Sequence, residues 1–232
     1  AISDLISQNN QTDFLSVINN QLQQLKTLLD GCFLLGELSP RTKDAIAGYG
    51  ELLSAQIIAK GLSSIISNSH FKDSRELIIT NSNFGKATVD FNSSNALIKD
   101  YFDNSTFDVV VVPGFIASSH DGNTTTLGRG GSDYSAAIIA NGINAAVLEI
   151  WTDVSGMFTA NPKIVKQAQP IETISYQEAM ELSHFGAKVL YPPTIQPVLK
   201  SNIPIIIKNT FDPTANGTLI SNQNDINSNP IK

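Results

Sequence analysis

The chain has 232 residues, 41% of them hydrophobic, with a formal net charge of −6. That length can bury a core in one large domain or two small ones, and the composition excludes a disordered chain. The acidic balance argues against nucleic acid or an anionic membrane as partner, and the lone Cys32 excludes an intramolecular disulfide or a cysteine metal cluster. No apolar run approaches the length of a membrane span, and the opening "AISDLISQNN" lacks the basic flank of a signal peptide, so a cytoplasmic setting is expected.

Leu15, Ile18, Leu22, Leu25 and Leu29 recur at gaps of three and four, which predicts an amphipathic helix over 12–30. A second helix is predicted over 39–60, with Ser39 as cap, Pro40 as first helical residue and Gly61 as its end. Residues 75–81 ("RELIITN") read as a strand and 93–103 as a helix. The Val run of "FDVVVVPGF" predicts a strand over 107–112, buried on both faces and ended by Pro113-Gly114. A helix over 132–141, a strand over 145–151, helices over 176–185 and near 193–200, and a strand over 204–208 complete the alternation. Strands alternating with helices imply an α/β fold with a mostly parallel sheet covered on both faces. Residues 1–220 are expected to form the folded domain, and the Asn-rich 221–232 a linker or tail.

Three stretches carry chemistry. Gly128-Arg129-Gly130-Gly131-Ser132-Asp133 opens the helix at 132. Its glycines let backbone N–H groups approach a ligand, and the helix N-terminus favours an anion. A capped glycine turn with no ligand is an equal reading of the same residues, and Arg129, a fork donor suited to carboxylate or phosphate, is what weighs against it. The loop is not a Walker A motif. The only Gly-Lys, Gly85-Lys86, lacks the partner glycine, and the G-x-G-x-x-G fingerprint fails at Asp133. Ligands of open parallel sheets bind beyond the strands' carboxyl ends, where Phe115 and the Thr152-Asp153 exit lie. Lys188 at a helix end suits either the helix dipole or a polyphosphate. Glu51 lies in the second helix beside the apolar Leu52 and Leu53 and is expected to face inward. His70, His120 and His184 have no ligand spacing, so no metal site is expected.

"TTTLGRGGSDYSAA", "EIWTDVSGMFTANPK", "SYQEAMELSHFGAKVLYP" and "IPIIIKNTFDPTANGTLI", with "YGELLSA" and "RELIITNSNFGKA" before them, resemble successive segments of the aspartate kinase family, within the amino-acid kinase fold. The resemblance spans roughly residues 39–220 and is strongest to the bifunctional aspartokinase–homoserine dehydrogenases. It implies a three-layer α/β/α sandwich and ATP-dependent phosphorylation of the β-carboxylate of L-aspartate, with Mg²⁺ accompanying the ATP. By resemblance, Arg129 holds the substrate α-carboxylate and Glu51 its ammonium. Ser132, Gly130 and Gly131 cradle the substrate, Phe115 lines it, and Asp133 and Lys188 act at the reacting groups. Thr152, Asp153, Phe158, Lys163, Lys188 and Val189 fall where the family binds ATP. Phe158, Lys163, Asn161 and Tyr191 stand where many relatives carry Tyr, Arg, Asp and His.

The family also opens with a strand bearing Lys-Phe-Gly-Gly-Thr-Ser, and nothing like it occurs in these 232 residues. An N-terminally truncated and catalytically impaired domain is therefore expected. The family further implies C-terminal ACT domains, a dehydrogenase half in the bifunctional members, and a homo-oligomer. The alternatives are another amino-acid kinase, such as an acetylglutamate kinase, and a non-catalytic module that binds aspartate or ATP.

Overall fold

The structure is a computed structural model that describes residues 11–161, 164–185 and 190–222. The chain divides into two units, Ala1–Ser132 and Asp133–Lys232.

The first unit opens with helix α1 (Gln11–Leu35), longer than the predicted 12–30. Of its five periodic apolar residues only Ile18 is buried, while Leu22 and Leu29 remain about half exposed. Helix α2 (Pro40–Leu62) starts as its sequence dictates: Pro40 needs no N–H partner, and Ser39 Oγ accepts from Thr42 N at 3.1 Å. It runs past Gly61, because Ser63 closes it by donating its N–H to the Ala59 carbonyl at 3.0 Å. The buried stripe of α2 is Asp44, Gly48, Leu52, Ala55 and Ala59, and the helix packs against β1 (Ser69–Phe71) and β5 (Thr124–Thr126), both set in their sheets below.

The predicted strand 75–81 is mostly not a strand. Asp73 accepts from Arg75 N at 3.0 Å and turns Ser74–Glu76 into a single 3-10 turn, leaving β2 (Ile79–Thr80) alone extended. Helix α3 (Phe91–Asp103) begins two residues early because Asp90 caps it, accepting from Asn92 N and Ser93 N. The Val run yields β3 (Val109–Val111), parallel to β1. Its residues are half-buried and not enclosed on both faces, since β1 is its single strand partner among the described residues.

A hairpin, β4 (Ile116–Ser119) with β5, was not predicted; β4 also pairs in parallel with β2. Its strands are Ser- and Thr-rich yet buried, and hydroxyls satisfy the interior. Ser74 Oγ donates to the Ile116 carbonyl at 2.8 Å, and the Thr80 and Thr125 hydroxyls lie 2.7 Å apart.

The second unit takes up the chain within α4 (Gly131–Gly142). A Schellman turn ends that helix: Asn144 sits at φ 50°, its N–H reaches the Asn141 carbonyl at 3.2 Å, and Ala145 N reaches the Ala140 carbonyl at 2.9 Å. The turn consumes residues predicted as strand, so β6 (Leu148–Thr152) starts three residues later than expected. The short antiparallel pair β7 (Met157–Phe158) and β8 (Pro170–Ile171) follows, and then β9 (Thr173–Ser175). Helix α5 (Tyr176–Phe185) has a capping box, in which Glu178 Oε2 accepts from Ser175 N at 2.9 Å and Ser175 Oγ accepts from Glu178 N at 3.2 Å.

The helix predicted near 193–200 is a 3-10 turn over Pro192–Ile195 followed by the short α6 (Gln196–Lys200). Strands β10 (Ile205–Asn209) and β11 (Thr218–Ser221) complete a sheet in the order β6-β10-β11-β9. Within it, β6–β10 and β11–β9 are parallel and β10–β11 antiparallel. Its core is aliphatic, with Ile174, Ile205, Ile207, Ile220, Met157 and Val198 essentially excluded from solvent. The strand ends at Ser221, and residues 223–232 of the expected tail lie outside the described residues. Among the described residues no helix is long and apolar enough to cross a membrane.

Candidate active site

In the first unit, the segments predicted to bind an amino acid converge through backbone contacts. The Gly128–Gly131 loop leaves β5 and closes on itself through a 3.0 Å bond from Gly131 N to the Gly128 carbonyl. Leu127 N donates to the Phe115 carbonyl at 2.9 Å, which fastens the loop to the segment after Pro113-Gly114. The approach is too close for any side chain at Gly131, where a Cβ would lie 2.8 Å from Phe115 Cδ2. Phe115 itself has φ 68°, strain that a bulky residue keeps only where its surroundings hold it. Gly128 and Gly130 also have positive φ, at 73° and 69°, and the residue between them, Arg129, is exposed. Phe115, Arg129, Gly130, Gly131 and Ser132 therefore belong to one local cluster.

Glu51 sits half-buried on α2. It follows Asp44 by seven residues, two turns and about 20° round the helix, on the side that packs against β5. The inward orientation expected of Glu51 is thus only partial.

Asp44 was missed by the sequence reading. It is 3% exposed and grips β5 and the neighbouring turn: Oδ2 accepts from Gly85 N at 2.8 Å and Thr126 N at 3.0 Å, and Oδ1 accepts from Thr126 Oγ1 at 3.0 Å. The available signal was a carboxylate on the apolar stripe of α2, where solvation is denied and bonds must replace it. The Gly85-Lys86 pair, rejected as a Walker motif, packs on Gly128, whose Cβ would lie 3.4 Å from the Gly85 carbonyl oxygen.

Asp133 occupies the first turn of α4 and is half-buried. Burial pushes its carboxyl above the ordinary carboxylate range, outweighing the favourable helix dipole. The folded state thus holds this proton to higher pH than the unfolded chain does. The cost of ionising Asp133 is absent below the unfolded pKa, grows as pH rises, and is complete above the folded pKa. Asp133→Asn is expected to raise Tm at about pH 7 and to give no gain at about pH 3, where both states are protonated. Thermal unfolding across that range checks this, and a pH-independent gain would contradict it.

In the second unit, Thr152 ends β6 and Asp153 follows it, exposed, accepting from Thr152 Oγ1 at 3.3 Å. The parallel register sets Thr152 opposite Asn209, so β6 and β10 end together. Thr210 N donates to the Thr152 carbonyl at 2.8 Å, and Asn209 Nδ2 donates to Ser155 Oγ at 2.8 Å, tying the two exits into one edge. Asn209 and Ser155 were not among the expected site residues, although Asn209 lies in the segment "IPIIIKNTFDPTANGTLI" that carries the resemblance. Phe158 is half-buried on β7, opposite Pro170. Lys163, Lys188 and Val189 lie outside the described residues. Among the described residues no three His, Cys, Asp or Glu side chains could hold a metal ion.

The model of the amino acid kinase family matches residues 6–209. The bifunctional aspartokinase/homoserine dehydrogenase 1, chloroplastic, of Zea mays is 38% identical over 221 residues, 95% of this chain and 24% of that protein. The lysine-sensitive aspartokinase 3 of Escherichia coli is 36% identical over 209 residues, 88% of this chain and 46% of its own length. Among solved structures, E. coli aspartokinase III in complex with aspartate and ADP superposes with a TM-score of 0.85 at 35% identity, over 93% of this chain and 48% of that one. UMP kinase from Bacillus anthracis, at 16% identity and a TM-score of 0.52, shares the fold alone. The chain thus spans less than half the length of its aspartokinase relatives. It has the α/β amino-acid-kinase fold expected from its sequence, and it belongs to the amino acid kinase family.

Proposed function

We propose that residues 1–220 carry the catalytic domain of an aspartate kinase, which transfers the γ-phosphoryl group of ATP to the side-chain carboxylate of L-aspartate. The product is 4-phospho-L-aspartate, at the entry to lysine, threonine and methionine synthesis. The observation that carries the reading is the cradle at Phe115 and Gly128–Gly131, where a strained aromatic and a side-chain-free loop flank the exposed Arg129. Its support is the fold shared with an aspartokinase that binds aspartate and ADP.

In this reading Arg129 takes the α-carboxylate as a bidentate fork and Glu51 the ammonium. Phe115 walls the site, Ser132 and the backbone of Gly130 cradle the anion, Gly131 closes the loop around it, and Asp133 stands beside the amino group and the reacting end. Thr152, Asp153 and Phe158, with Lys163, Lys188 and Val189, are assigned to ATP.

A carboxylate oxygen of aspartate attacks Pγ, the bond from Pγ to the β,γ-bridging oxygen breaks, and ADP leaves with that electron pair. No proton needs to move, so no histidine or cysteine is required. Two unit charges at about 4 Å repel by roughly 4 kcal/mol at an effective dielectric of 20, and the cations and N–H groups serve to offset that. The described acids form no magnesium cage, so Mg²⁺ is assigned to the nucleotide's phosphates.

Trapping the acyl phosphate with hydroxylamine tests the proposal. The protein in its full natural length is expected to give aspartyl hydroxamate that depends on both ATP and L-aspartate. No aspartate-dependent product would refute it, and preference for acetylglutamate would reassign the chain to another amino-acid kinase. The 232 residues alone are expected to give far less product, because no Lys-Phe-Gly-Gly-Thr-Ser segment lies within them; robust turnover would contradict that. We also assign the full-length protein to the cytoplasm, as a homo-oligomer bearing C-terminal ACT domains.

A further inference from the structure

Asp44 takes no part in the proposed chemistry, yet its surroundings make it more than a packing residue. It lies on the buried stripe of α2, where a carboxylate without partners would be strongly disfavoured. All three of its bonds go to groups bordering the glycine loop. Thr126 is the last residue of β5, two before Gly128, and Asp44 holds both its N–H and its hydroxyl. Gly85, held through its N–H, presents its carbonyl to Gly128 across a gap where a Cβ would sit at 3.4 Å. One buried anion on a long helix therefore fixes the strand leading into the loop and the turn packed against it.

We propose that Asp44 is a positioning residue for the amino-acid site, a clamp that holds the backbone of Gly128–Gly131 in register for Arg129 to meet its carboxylate. The inference rests on the amino-acid-binding reading of that loop. Asp44 touches no substrate; it acts through Thr126 and Gly85. Its geometry also predicts which substitution is tolerated. In Asp44→Asn the amide oxygen can still accept from both N–H groups while Nδ2 donates to Thr126 Oγ1, which turns to accept. Asp44→Ala loses all three bonds.

The test uses the full-length protein with two readouts. By hydrogen exchange, Asp44→Ala is expected to lose amide protection over residues 124–131 while α2 keeps its own. In steady-state kinetics its KM for aspartate is expected to rise about tenfold with the KM for ATP within about twofold, and Asp44→Asn to restore most of both readouts. If Asp44→Ala does not fold, Thr126→Val, which removes only the hydroxyl partner, is expected to show the same pattern at about threefold. Wild-type exchange over 124–131 in the folded variant, or an equal rise in both KM values, overturns the proposal. Exchange needs no turnover, so a loss of protection in a protein that does not phosphorylate aspartate would keep the clamp and sink the substrate assignment.

Discussion

Arg129→Ala is expected to raise the KM for aspartate on the order of 10²-fold and to leave the KM for ATP within about twofold. Each hydrogen bond to a charged group contributes about 1.5–3 kcal/mol, and each 1.4 kcal/mol is a factor of about ten, so losing an exposed bidentate pair at the low end, about 3 kcal/mol in all, gives roughly 10²-fold. Arg129 suits this role because of what flanks it. Gly128 and Gly130, both at positive φ, place no side chain beside the guanidinium, and the residue is exposed to an incoming anion. Arg129→Lys is expected to recover only part of the loss, since an ammonium supplies the charge without the fork. Initial rates of the full-length protein with each substrate varied in turn decide the matter. Equal effects on both KM values would remove Arg129 from the aspartate site.

What the sequence made legible depended on whether a local signal decided the outcome. Helix α2 was legible because Ser39-Pro40 is a start signal and its stripe keeps helical spacing. Helix α5 was legible in its extent, and the structure adds the capping box of Ser175 and Glu178 that starts it. β6 and β10 were legible because aliphatic runs must be buried. By contrast, β4 and β5 are built from "IASS" and "TTT", whose hydroxyls read as loop until the bonds of Thr125 to Thr80 and of Thr126 to Asp44 are known. One local signal was present and passed over: Asp121-Gly122, with Gly122 at φ 76°, is a hairpin turn. The start of β6 was misplaced because Asn144 gave its backbone to the cap of α4. Of the site, the glycine loop and the Thr152-Asp153 exit were legible from glycine density and from position after strands. Asp44 was not, because its partners Gly85 and Thr126 are 41 and 82 residues away in the chain.

Gly217→Ala should be among the most damaging small substitutions in the second unit. Gly217 precedes β11 at φ 76°, and a Cβ there would lie 2.0 Å from the Ile207 carbonyl oxygen and 3.2 Å from its carbon. Ile207 is fully buried and pairs with Thr218, so neither strand can step aside cheaply. Thr218 extends the damage: its Oγ1 accepts from Met157 N at 2.7 Å and donates to the Ile171 carbonyl at 2.6 Å, joining β7 and β8 to this hairpin. Left-handed backbone costs alanine about 1–2 kcal/mol and overpacking a further 1–3, which sums to about 2–5 kcal/mol. In a chain of this size that lowers Tm by roughly 4–20 °C. Gly122→Ala is the internal control, because Gly122 has the same φ of 76° with nothing within 4 Å of a Cβ. It should lose only the backbone part, and the difference between the two variants isolates the clash. The consequence reaches the proposed nucleotide edge through β10, whose Asn209 pairs with Thr152. Gly217→Ala should therefore also lose the thermal stabilisation expected of the full-length protein with ATP and Mg²⁺, whereas Gly122→Ala keeps it. Matching Tm losses in the two variants would show that the strands yield and that the contact at Ile207 is not what holds this edge.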